Sequence, residues 1–181
     1  MSRVPLVNPA TATGDSQALL TEIHGAFGAA PNMFRAVANS PAALRSMWGA
    51  FGALGGGVLG AALGEKIAVA VADRNQCEYC LAAHTALGQK AGATAQEMSE
   101  AQAGRAQDAQ TAAALSFALK LVNQRGQVSD ADVAQLRAAG FNDEQIVEIL
   151  AHVALNLFTN YVNIAFAVPV DFPKIKLRAA A

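Results

Sequence analysis

The 181-residue chain is poor in charge, poor in aromatics and nearly devoid of cysteine. Only 15% of its residues are charged, the formal net charge is −1, and 53% are hydrophobic. That balance excludes a disordered chain, which needs the reverse. No block of lysine and arginine exists to attract nucleic acid or an anionic membrane, so neither is expected as a partner. β-Branched residues are thin and no alternating strand pattern recurs, whereas alanine is abundant; the expected fold class is all-α. Met1 to Gln17 holds no apolar run of signal-peptide length, and the expected location is the cytoplasm. A chain this apolar would leave large apolar patches bare as a monomer, so a homo-oligomer is expected.

Two uncharged stretches approach membrane-span length. Ser46 to Gly64 is interrupted by seven glycines, including Gly55-Gly56-Gly57, which break a helix. Ile149 to Val170 carries His152, Asn156, Asn160 and Asn163, a polar density that fits a buried helix and not a lipid-facing one. This polar stripe either lines a cavity opposite the cysteines or forms a hydrogen-bonded seam; the seam is the favoured reading, because buried amides usually serve packing specificity.

The helices announce themselves by their ends. Ser40-Pro41, Thr94-x-x-Glu97, Ser129-x-x-Asp132 and Asn142 are start signals, and Gly92, Gly126 and Gly140 are stops. One helical domain is expected over 15–173, with an irregular arm over 1–14 and a tail over 174–181. A shift of 79 positions, placing Glu65 on Glu144 and Cys77 on Asn156, raises a degenerate internal duplication as a further expectation. Leu44, Met47, Trp48 and Phe51 recur at helical spacing and are read as core or subunit contacts.

What chemistry the chain has is concentrated in Glu65 to His84, which holds both cysteines, one of three histidines and a carboxylate. On a helix starting at Cys77, positions 77, 80 and 84 share one face. A helix N-terminus favours a thiolate, and His84 is placed to take a proton from Cys80. Glu65 reaches this face only if its helix packs beside that of the cysteines, where it would orient the histidine. Two sulfurs and one nitrogen leave a zinc site one ligand short, so no metal or other cofactor is expected. His24 and His152 are read as structural histidines.

Glu-x11-Cys-x2-Cys-x3-His resembles the active-site signature of alkylhydroperoxidase D-like proteins, in the carboxymuconolactone decarboxylase superfamily. Pro31-Asn32-Met33-Phe34 and Ser40-Pro41 upstream, with Leu157-Phe158-Thr159-Asn160-Tyr161 and Asp171-Phe172-Pro173 downstream, resemble its peroxidase-related branch; the likeness spans about residues 28–173. It implies an all-helical bundle assembled as trimers, or hexamers built from them, and a thiol peroxidase that acts on a peroxide. By resemblance, Cys80 attacks the peroxide, Cys77 resolves the product as a disulfide, Glu65 and His84 relay the proton, and a dithiol donor reduces the disulfide. The residues alone pull both ways: the helix dipole favours Cys77, the histidine favours Cys80. Cys80 is preferred because a neighbouring base also activates the attack. Tyr79 stands where alkylhydroperoxidase D has a second histidine; it cannot shuttle protons near neutrality and is a candidate pocket residue. Decarboxylation of a muconolactone-type acid and a non-catalytic redox sensor are the alternatives. The first has no need of a dithiol.

Overall fold

The computed structural model describes residues 1–178, and among these every regular element is a helix. In chain order they are α1 (Gly14–Phe27), α2 (Asn32–Val37), α3 (Pro41–Gly55), α4 (Ala61–Arg74), α5 (Glu78–Lys90), α6 (Ala95–Gln102), α7 (Ala109–Asn123), α8 (Asp130–Ala138) and α9 (Asp143–Ala165). Residues 1–13 precede the first helix; residues 179–181 of the expected tail lie outside the described residues.

α4 is the hub. Ile67 through Asp73 are all buried, so this helix is enclosed on every side. It packs against α5, α6, α7 and α9, while α3 leans on α9 and α1 on α3. Phe27, Phe34, Trp48 and Phe51 join α1, α2 and α3, with ring centroids 5.5–6.2 Å apart in tilted and edge-on pairs.

Local capping sets the boundaries much as the side chains dictate. Ser40 Oγ accepts from the Ala43 N–H ahead of Pro41, and Thr94, Ser129 and Asn142 each close a capping box. In the first two boxes the third residue is also ion-paired. Hydrogen bonds from Lys66 and Thr94 hold Glu97 at about 2. Those from Lys120 and Ser129 hold Asp132 at about 2. Both carboxyls are depressed on folding, so their contribution to stability is complete above about pH 4–5 and drains away as pH falls towards 2. Urea midpoints measured from pH 6 down to about 2.5 are expected to fall less steeply in Glu97→Gln than in the wild type.

The 79-residue shift lays the α4–α5 pair, which breaks at Asn75–Cys77, over α9, which runs unbroken. The break matters more than the repeat. Gln76 takes a left-handed conformation (φ 58°), and its side chain bonds back to Asp73 O. The chain therefore reverses within three residues and brings α5 alongside α4.

Candidate active site

Cys77 is the N-cap of α5: its Sγ accepts the Cys80 N–H at 3.2 Å, the bond a serine or aspartate makes elsewhere. Both cysteines are free thiols and both are buried. Because α4 and α5 lie side by side, Glu65 Oε2 meets His84 Nδ1 at 2.7 Å. A carboxylate can only accept, so Nδ1 carries the proton and Nε2 is the nitrogen left for exchange. Cys77, Cys80, His84 and Glu65 are thus brought together, and Tyr79 stands beside them.

The pair of thiols is electrically unequal. Burial alone would push Cys80 up, but the neighbouring Cys77 thiol, the His84 charge and the amides of Asn163 and Asn160 together bring it below the ordinary thiol value. Asn163 Nδ2 lies 3.2 Å from Cys80 Sγ. Asn160 Oδ1 accepts a hydrogen bond from Asn75 Nδ2 at 2.9 Å, and its own Nδ2 makes no hydrogen bond among the described residues. Cys77 goes the other way: its hydrogen bond with Cys80 and its burial raise it well above the usual range. The N-cap amides oppose this for Cys77, but one negative charge in the pair goes where more donors converge, and that is Cys80. His84 is raised: burial works against its charge, but the field and hydrogen bond of Glu65 outweigh it.

Asn163 and Asn160 were not among the expected site residues. Their spacing in the polar stripe was visible, but what that face of α9 meets was not. A hydrogen-bonded seam describes only Asn75–Asn160; Asn163 is aimed at the sulfur, and Asn156 and His152 line a cavity against Glu65. Asn163→Leu removes a donor to a charged sulfur, so the alkylation midpoint of Cys80 is expected to rise by about one pH unit. Iodoacetamide rates across pH check this.

Cys80 and His84 lie in the wall of an apolar cavity of about 30 Å³, with Met33, Phe34, Tyr79 and Phe172 around them. Such a volume admits roughly one or two water-sized groups. Tyr79 is buried; its hydroxyl accepts the Met33 N–H at 3.2 Å and faces the Asp171 carboxylate, and its ring meets Phe172 edge-on at 5.7 Å. Burial, reinforced by Asp171, pushes the phenol far up, so it stays neutral and works as a wall and anchor. Asp171 also accepts the Asn32 N–H at 2.7 Å, which draws the C-terminal segment against the start of α2, with Phe172 at the cavity.

The all-helical frame matches the fold of alkylhydroperoxidase D-like proteins. Residues 41–124 match the carboxymuconolactone decarboxylase family. Among solved structures, an uncharacterized peroxidase-related protein from Silicibacter sp. TM1040 is 28% identical (TM-score 0.81), with 93% of this chain and 91% of that one covered. A second, described as an alkylhydroperoxidase AhpD core and peroxidase-related protein from Ralstonia eutropha JMP134, is 27% identical (TM-score 0.83), covering 94% and 92%. The debrominase Bmp8 shares the fold at 18% identity (TM-score 0.72), covering 86% of each chain. No curated protein matches the chain. Residues 41–124 thus carry a carboxymuconolactone decarboxylase family domain, and the chain as a whole is similar in fold to these peroxidase-related proteins.

Proposed function

We propose that the protein is a thiol-dependent peroxidase in which Cys80 is oxidised by a hydroperoxide and Cys77 resolves the product. The observation that carries this reading is the convergence of the His84 charge and the Asn163 amide on the Cys80 sulfur at an apolar cavity. The Cys80 thiolate attacks the outer peroxide oxygen: an S–O bond forms, the O–O bond breaks, and the departing alkoxide takes the proton of His84. Glu65 holds that imidazole in its protonated, correctly turned form. The Cys77 thiol then condenses with the sulfenic acid, forming the Cys77–Cys80 disulfide and releasing water. A dithiol donor returns two electrons through a mixed disulfide. Such a cycle belongs in a reducing compartment, the cytoplasm. Among the described residues no helix is long and apolar enough to cross a membrane. The decarboxylation in the family's name makes no use of a dithiol.

The test is intact mass and free-thiol count before and after one equivalent of tert-butyl hydroperoxide. The wild type is expected to lose two hydrogens and both thiols, and Cys77→Ser to stop at a trappable sulfenic acid. Thiols that survive peroxide untouched would sink the reading.

The reading includes a homo-oligomer, a trimer or a hexamer of trimers' making. It is supported by the outer face of α9, where Val147, Leu150, Phe158 and Tyr161, three, eight and three residues apart, share one side and are exposed. Leu150→Glu with Tyr161→Glu is expected to reduce the mass seen by light scattering to that of one chain. An unchanged mass would remove α9 from the interface.

A further inference from the structure

A second cavity, of about 110 Å³, shares His84 with the first. Glu65 and His84 form its inner wall, His152 and Asn156 line it from α9, and exposed Gly55, Gly60 and Ala61 form its outer edge. It is therefore a passage from the surface at the glycine-rich loop to the back of the carboxylate–imidazole pair. Glu148 holds that loop in place by accepting the N–H groups of Val58 and Leu59.

Two features fit this passage for water and protons. Asn156 is buried, and its Oδ1 has no partner among the described residues, so a water in the cavity would satisfy it. Gly64 on α4 leaves the space that the His152 ring occupies; a Cβ at that position would stand 2.9 Å from His152 Cε1. His152 is half-buried, between the exposed edge and the inner wall.

We propose that His152 is a proton-relay residue that, with water in this cavity, carries protons between solvent and the Glu65–His84 pair. It acts through those two residues and does not touch peroxide. The inference rests on the peroxidase reading for its purpose: His84 gives its proton to the alkoxide and needs another before the next turnover. When a dithiol donor reduces the disulfide, the donor loses two electrons and two protons. One proton ends on Cys77, Cys80 leaves as thiolate, and the second returns to His84 by way of solvent and His152. The apolar cavity, which holds substrate or product, is spared this traffic.

The groups facing His152 suit the role. Burial lowers its imidazole, Glu148 on its own helix and Glu65 on α4 pull it up, and His84 on α5 pushes it down. The net effect leaves His152 below the ordinary imidazole value, so it takes up and gives back a proton readily.

The test is exchange of the His84 Nε2 proton with water, followed by NMR on reduced protein labelled with ¹⁵N-histidine. His152→Gln keeps size and polarity but cannot titrate, and is expected to slow this exchange by about tenfold or more. His152→Ala with free imidazole added is expected to recover the wild-type rate, which a packing role would not allow. Equal exchange in wild type and His152→Gln, or no recovery with imidazole, would overturn the relay. With tert-butyl hydroperoxide and dithiothreitol, His152→Gln is expected to keep its first turnover and slow in later ones. Should wild type show no peroxide-driven thiol loss, the peroxidase reading fails, and the exchange rates still decide the relay.

Discussion

Cys80→Ser is expected to lower peroxide consumption by roughly 10³-fold or more, to the background of the buffer. A serine hydroxyl at this position is not ionised near neutrality, so neither His84 nor the amides of Asn163 and Asn160 have a charged sulfur to act on. Cys77→Ser separates the two thiols. It leaves Cys80 and its donors in place, so one peroxide is consumed per chain, and turnover then stops because no second thiol can displace the hydroxyl. A serine at position 77 also keeps the cap on the Cys80 N–H. Stopped-flow peroxide assays with both variants check the order of events. If Cys77→Ser were the silent variant and Cys80→Ser the one that reacts once, the roles would be reversed and the helix dipole would have outweighed the histidine.

Glu65→Gln is expected to cut the rate of Cys80 oxidation by about 10²-fold, with a change in pH profile that a packing defect would not produce. The reactive form pairs a Cys80 thiolate with a protonated His84, so the rate rises through the lowered Cys80 value and falls as His84 loses its proton. Glu65 is what holds His84 up against burial. Without its charge the imidazole drops, and the alkaline limb of the profile moves to lower pH. The same substitution has a stability signature. A group raised on folding contributes fully below its unfolded value, about 6.5 for histidine, and loses that contribution as pH rises through the folded value. The gap in urea midpoint between wild type and Glu65→Gln is therefore expected to be widest below about pH 6.5 and to narrow above it. A gap independent of pH would mean that the Glu65–His84 contact is merely structural.

Much of this molecule is legible along the chain because its determinants are local. A serine three residues before a free N–H, a proline at a first helical turn, or a glycine past a last one acts within a few residues, and α3, α6, α8 and α9 start close to where those signals stand. The common face of Cys77, Cys80 and His84 is equally local, since helical geometry alone relates residues three, four and seven apart. The polar stripe of α9 was visible by the same rule, yet its partners were not. Spacing says that Asn156, Asn160 and Asn163 share a side of one helix; it does not say that a cysteine more than eighty residues away in the chain, and a glutamate on α4, stand opposite.

The sequence by itself thus determined the all-helical class, the helix limits and the dithiol–histidine face, all consequences of backbone geometry and side chains within two turns of one another. Only the tertiary structure decided the electrical difference between the two thiols. That difference comes from Glu65 reaching His84 across the α4–α5 packing, and from α9 amides reaching Cys80, over sequence separations of 19 and 83 residues. Charge and hydrogen bonding depend on distance in space, and the left-handed turn at Gln76 together with the burial of α4 sets those distances.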